Sequence, residues 1–294
     1  MGQKMSEKES STVQREQERL LLAAIDGSAA TTPVLLAASK LAPLLDATVQ
    51  ALNISPTSET EKALSTDSLP DAASSSRSES AAAIASSLHI SLRNVEGDVA
   101  DELSTAIGDP SVVAAVVGAR RLESHRYQLG HITQELLAHA TKPILVVWPQ
   151  WTPSSDATWQ KVLCPLDGNE STARSIRTTM TTIASRGAKI VAVHVFEPDT
   201  VPRFWDQHGH TQESWGREFL YRNCSVPGTT LQILAGPPGE KIVEAANGYQ
   251  ADMIVMCWAG STEGGRAPVV TEVLYRTRIP VLLIPRIEDN SLSS

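Results

Sequence analysis

Two short strings end apolar runs with an acid and a glycine: "IDGS" at Ile25–Ser28 and "LDGN" at Leu166–Asn169. Asp26 and Asp167 are the residues best placed for chemistry. A carboxylate at a strand–helix turn either holds a polar ligand or caps the helix that follows, and the residues alone leave both uses open. Neither aspartate has a partner carboxylate nearby in sequence, so general acid–base catalysis is not indicated. In "FWDQHGHTQESW", Phe204–Trp215, His208 and His210 with Asp206 suggest a metal, but zinc sites usually need three or four ligands and no others are supplied. No metal is expected. The gathering of Phe204, Trp205 and Trp215, in a chain only 4% aromatic, reads better as a packed lid or an interface. Cys164, Cys224 and Cys257 lie far apart without CxxC spacing. They read as reduced core thiols of a cytoplasmic protein. Cys164, between Leu163 and Pro165, reads as a buried thiol rather than a redox sensor.

The elements that carry these residues come in two matching series. "LLLAAIDGS" predicts a buried strand ending at Asp26, followed by a helix over Thr31–Leu45 and a strand "ATVQALNIS". Residues 55–80, rich in Ser, Thr, Glu and Ala, read as an exposed irregular insertion. A short helix, the strand "ISLRNVEG" and a helix capped by Asp98 follow. Then come the buried strand "SVVAAVVGA", a polar loop "RRLESHRYQLG", the helix "HITQELLAHA" and the strand "PILVVWP". The second series begins with "KVLCPLDGN", where Pro165 stands two residues before Asp167, and continues with a helix over Glu170–Ser185 and the strand "AKIVAVHVFEP". It runs on through "TTLQILAG", a helix in "PPGEKIVEAANGY", "ADMIVMCWAG" and a glycine-rich loop, and closes with "APVVTEVLYRT" and "IPVLLIP".

Strands that are apolar throughout and alternate with helices predict parallel sheets covered on both faces. The fold class expected is α/β: two tandem doubly wound three-layer domains, each with a self-contained parallel sheet. The division is a leader at 1–18, a first domain at 19–149, a linker at 150–160 flanked by Trp151 and Trp159, a second domain at 161–286, and a tail at 287–294. In such sheets ligands sit outside the carboxyl ends of the strands, where strand order reverses. Both aspartates fall at that edge.

Composition narrows the function. The chain has 294 residues, 41% hydrophobic, with a net charge of −8 and no basic stripe. Nucleic acid and anionic membranes are poor partners for such a surface. No apolar run approaches the ~18–20 residues of a membrane span. "MGQKMS" matches the loose myristoylation pattern, but the polar continuation reads as a solvated leader.

The strand ending "DGS", the fourth strand of the form "ADxIVxG", the glycine-containing loop and the final "PVLVV"-type strand, in this order and twice over, resemble the universal stress protein (UspA-like) family in its tandem form. The resemblance covers roughly 19–149 and 160–286. It implies two domains packed through their last strands as an internal pseudo-dimer, with a homodimer and an unknown protein partner left open. It also implies an adenine nucleotide, ATP above all, as ligand. Binding members carry G-x2-G-x9-G-[S/T] after the fourth strand, where glycines let backbone N–H groups approach phosphate, and an aspartate that meets the adenosine. By that template the first copy supplies Asp26, Gly118, Gly130 and His131, with Arg121 at the second glycine position. The second supplies Pro165, Asp167 and Gly260, with Cys257 at the first glycine position and Ala267–Pro268 where Gly-Ser/Thr belongs. Both sites are degenerate, the second more so, since proline removes a donor.

The function expected is binding rather than catalysis: a stress-response adaptor or sensor with a degenerate nucleotide site, more in the first domain than the second. No nucleophile–base pair, metal box or intact P-loop appears. Two alternatives stand beside it. One is a true ATP-binding switch with at most slow hydrolysis. The other is a structural protein that binds partners through Phe204–Trp215.

Overall fold

The computed structural model describes residues 18–55, 81–121, 127–153, 158–201, 209–224, 226–259 and 268–287. The 55–80 insertion and the stretch 202–208 therefore lie largely or wholly outside the described residues. In the first half the elements are β1 (Leu20–Ile25), α1 (Thr31–Leu45), β2 (Thr48–Ser55), a short helix α2 (81–87), β3 (Ser91–Glu96), α3 (Val99–Gly108), β4 (Val112–Gly118), β5 (Arg120–Arg121), β6 (Tyr127–Gln128), α4 (His131–Ala138) and β7 (Ile144–Val147). In the second they are β8 (Lys161–Pro165), α5 (Glu170–Ser185), β9 (Lys189–Phe196), α6 (Gly209–Asn223), β10 (Thr230–Ala235), α7 (Pro238–Tyr249), β11 (Met253–Trp258), α8 (Pro268–Arg276) and β12 (Val281–Pro285).

Within each half the strands are parallel and share one order: β3-β2-β1-β4-β7 in the first, β10-β9-β8-β11-β12 in the second. Side chains alternate between two apolar layers. Leu21, Ala23 and Ile25 of β1 join a core with α1, α2, α5 and α6, while Leu22 joins the opposite core with α3, α4, α7 and α8. This is the three-layer α/β/α arrangement, and it explains why the central strands carry no polar alternation.

The expectation of two self-contained sheets is corrected here. The halves share one ten-stranded sheet, because β7 and β12 pair antiparallel with Val281 opposite Val146 and Leu283 opposite Ile144. The reason is physical. Each half ends in a short, fully buried edge strand whose free N–H and C=O groups need partners. Two like edges meeting about a pseudo-twofold satisfy each other, which accounts for the recurrence of "KPILVVWP" as "IPVLLIP". The seam is reinforced on both faces. Trp258 Nε1 donates to the Leu137 carbonyl at 2.8 Å in a buried hydrogen bond that joins the halves. On the other face α1 packs against α5, and Arg186 meets Asp46 at 2.6 Å. Two further differences concern loops. The polar segment after β4 opens and closes as an antiparallel hairpin, Arg120 pairing Gln128 and Arg121 pairing Tyr127. The aromatic-rich segment of the second half continues into the 15-residue helix α6. Among the described residues no helix is long and apolar enough to cross a membrane.

Candidate functional site

In each half the chain leaves the first strand toward one neighbour and returns to place the fourth strand on the other side. This opens a crevice at the carboxyl ends of β1 and β4, and of β8 and β11. The turns leaving β1 and β8 are built alike. Gly27 and Gly168 take φ of 68° and 80°, conformations that glycine enters without strain. Asp26 Oδ1 accepts from the Ser28 N–H and Asp167 Oδ1 from the Asn169 N–H, both at 2.9 Å. These are local side-chain turns. Neither aspartate is the helix N-cap: Ala30 caps α1 without a side-chain bond, and Asn169 caps α5 by accepting from the Ser171 N–H.

From there the two crossovers diverge. Reading onward from each aspartate, Ala30, Thr31 and Val34 of α1 stand where Ser171, Thr172 and Ser175 stand in α5, and Gly118 of β4 stands where Cys257 stands in β11. The first crossover is open. A cavity of about 280 Å³ reaches in from Asp26, Ser28 and Thr31 past Gly118 to Gly130 and His131 at the start of α4. Its deeper wall is carbon, from Leu52, Ile54, Val99 and Leu103. Thr31 is only 5% exposed, and its Oγ1 has no hydrogen-bond partner. A buried hydroxyl in that state costs about 1–3 kcal/mol. Gly118 has a packing reason to be glycine, since a Cβ there would lie 2.6 Å from the Ala30 Cβ.

The second crossover is polar, and its side chains are bonded to one another and to the segment after β12. Thr172 Oγ1 donates to Asp167 Oδ2 at 3.0 Å, so the threonine hydroxyl left over in the first half is satisfied here. Just past β12, Arg286 Nε donates to Ser171 Oγ at 2.6 Å, and the Ile287 N–H donates to Ser175 Oγ at 2.8 Å. Cys257 lies beneath them. Burial raises its thiol above the ordinary value, the Ser175 and Thr172 hydroxyls and the Arg286 charge pull it back, and Asp167 adds to the rise. Cys164, one strand over, is fully buried, and that burial pushes its thiol far up, with Cys224 and Cys257 adding to the rise.

Near the carboxyl end of β9, on the face that α5 and α6 cover, His194 Nδ1 donates to the Leu166 carbonyl at 2.7 Å. The Phe196, Trp215 and Phe219 rings gather around the imidazole at centroid distances of 4.6, 5.6 and 4.6 Å. Trp215 is thus part of an intramolecular aromatic cluster that covers the sheet end beside Gly168.

The residues expected from sequence are distributed as follows. Asp26, Gly118, Gly130 and His131 border one cavity. The backbone of Arg121 belongs to the hairpin strand β5. Pro165 ends β8, and Asp167 is engaged by Thr172. Gly260 and Ala267 lie outside the described residues, and Pro268 opens α8. The residues that sequence reasoning missed are Thr31, Ser171, Ser175 and Arg286. For Thr31 a signal existed: a threonine recurs five positions after the aspartate in both halves. Among the described residues no group of three or more His, Cys, Asp or Glu is placed to hold a metal ion.

A doubly wound sheet, duplicated within one chain and open at a β1–β4 crossover, defines a class of tandem α/β proteins. The universal stress protein family model matches residues 19–147 and again 158–285. This chain belongs to the universal stress protein family. Its two copies form an intramolecular pseudo-dimer. Among solved structures, a universal stress protein from Archaeoglobus fulgidus DSM 4304 is 17% identical, with a TM-score of 0.66 over 92% of this chain and 100% of its own. A protein of unknown function from Pseudomonas aeruginosa PAO1 is 16% identical, with a TM-score of 0.60 over 92% of this chain and 93% of its own. A universal stress protein from Archaeoglobus fulgidus in complex with dAMP is 18% identical and covers 43% of this chain and 98% of its own, at a TM-score of 0.32. None of the curated proteins matches the chain.

Proposed function

We propose that this protein acts by binding, as an adaptor or sensor in the stress response of a reducing compartment, and that its first half holds one adenine nucleotide. The observation that supports this reading is the cavity at the first crossover with the unpartnered Thr31 hydroxyl in its wall. The volume, about 280 Å³, stands just below the ~300–1,000 Å³ of typical small-molecule sites. Its carbon wall suits a flat base. A ligand oxygen or nitrogen at Thr31 would recover the desolvation of that hydroxyl. Asp26 stands at the mouth, where a ribose hydroxyl can donate to it, and the start of α4 at Gly130 offers backbone N–H groups to an anion. The backbone after β4 pairs as a hairpin, which departs from a glycine cradle. Among the described residues that line the cavity, none forms a nucleophile–base pair, and the reading is binding. The three free thiols fit a reducing cytoplasm.

Equilibrium binding of labelled ATP to the full chain tests this. Saturable binding at one nucleotide per chain is expected, weakened about tenfold or more, roughly 1.4 kcal/mol, by Asp26→Ala and by Thr31→Val. Absence of saturable binding at millimolar nucleotide ends the reading.

A further inference from the structure

We propose that Arg286 is the resident occupant of the second crossover site: the chain carries its own internal ligand there, held on Ser171 and Ser175, and is closed to outside ligands in that half. The argument rests on the comparison of equivalent positions. Where the first half has Ala30 and Val34 facing an open cavity, the second has two serines. Both serine oxygens receive donors from the same short segment, the Arg286 side chain and the Ile287 backbone, at 2.6 and 2.8 Å. The position matching Arg286 in the first half is Pro149, which has neither a side-chain charge nor an N–H to offer. Each hydroxyl spends its own proton locally, Ser171 Oγ donating to Asn169 Oδ1 at 2.9 Å and Ser175 Oγ to the Ser171 carbonyl at 2.7 Å, which leaves the oxygen lone pairs to accept from the strap. The serines are therefore the complement of the strap. Asp167, held by Thr172, and Arg286 both act on the Cys257 thiol between the strap and the turn. A guanidinium is well suited to the task, because its planar fork holds fixed directions and keeps its charge at every physiological pH. Ile287 is 51% exposed, so the strap lies at the surface, its backbone held by the Arg286 N–H donating to the Trp258 carbonyl at 2.8 Å.

This extends the nucleotide reading by assigning ligand binding to one half only, and that part rests on the reading. The strap itself does not, so the test begins with a readout that needs no ligand. The Cys257 thiol lies under the strap, whereas Cys164 and Cys224 are buried in the core. In the native full chain, the rate of Cys257 alkylation by a neutral maleimide is followed by peptide mass spectrometry. Removing the Arg286 charge by itself would slow the reaction, since the nearby cation favours thiolate. Acceleration by Arg286→Ala therefore reports opening of the strap and nothing else. Tenfold or greater acceleration is expected in Arg286→Ala, and again in the double variant Ser171→Ala with Ser175→Ala, which leaves the strap intact but takes away its anchors. Unchanged or slower labelling in both variants, with Cys164 and Cys224 still protected, overturns the proposal. If Arg286→Ala does not fold, the double variant decides alone. Nucleotide stoichiometry by native mass spectrometry, with ATP as the probe, then separates the two readings. One ATP in the wild type supports single-site occupancy, and two overturn it. No ATP ends the nucleotide reading while leaving the strap to the thiol result.

Discussion

The two crossover points of this chain are copies of one design that have reached opposite solutions. At the first, an alanine, a valine and a glycine leave room, and a threonine hydroxyl is buried without a partner. At the second, two serines, a cysteine and a satisfied threonine fill the same places, and an arginine beyond the last strand lies across them. On the proposed reading, the Asp-Gly turn alone does not make a site. What decides is the next turn of helix and the residue that follows the fifth strand.

The sharpest way to break this comparison is to give the first half the second half's bulk. Gly118→Val places branched carbon against the Ala30 Cβ, which is already within 2.6 Å of where a Cβ would sit. A loss of about 1–3 kcal/mol in denaturant midpoint stability is expected from overpacking, along with loss of nucleotide binding. A stable, ligand-competent Gly118→Val protein would show that the approach of α1 to β4 is slack. Next in size is one substitution made in both halves. Thr172→Val removes a hydroxyl that donates to a carboxylate, and should cost about 1.5–3 kcal/mol. Thr31→Val removes an unpartnered hydroxyl and should leave the ligand-free protein unchanged or more stable by up to about 1 kcal/mol. Equal effects from the two would erase the distinction drawn between the sites.

A third expectation concerns pH. Burial raises the Cys164 thiol well above its ordinary value, so the folded state holds that proton where the unfolded chain, with a thiol near ~8.5, gives it up. Stability is thus fully present below that pH and declines as pH rises above it. Chemical denaturation at pH 8 and pH 10 should show this decline, reduced in Cys164→Ala relative to its own lower baseline. An identical slope in both proteins would place the alkaline loss elsewhere. The smallest effect belongs to the seam. Arg186 and Asp46 are both partly exposed, so Arg186→Ala should cost less than about 1 kcal/mol, and less still at high salt.

Much of the scaffold could be read directly from the chain. The helices over Thr31–Leu45 and Glu170–Ser185 follow from their flanking turn residues and periodic apolar positions, and they stand within those limits. Asp98 was recognisable as a cap, and it accepts from the Ala100 and Asp101 N–H groups. The apolar strands announced a sheet buried on both faces. The repeat of the closing strand pointed to the contact edge, but not to backbone pairing across it, because register between two edges is set by three-dimensional approach rather than by local pattern. The site was less legible. Asp26 could be named as the acid that ends the first strand, and the family resemblance added Gly118, Gly130 and His131; the fold brings all four to one cavity. Arg286 could not. It is 115 residues from the serine that it touches, and nothing in "IPRIED" distinguishes a strap from a frayed end. The recurrence of threonine five residues after each aspartate marks Thr31 in the sequence, but that its hydroxyl lacks a partner is defined by what surrounds it in the fold.

The central claim is that one half of the molecule is open to ligand and the other is closed by its own chain. Hydrogen exchange of the full protein, with and without saturating ATP, tests it most directly. Ligand should slow exchange in the peptide spanning Asp26–Val34 and leave the peptide spanning Asp167–Ser175 unchanged. Protection of the second peptide, or of neither, would contradict the account.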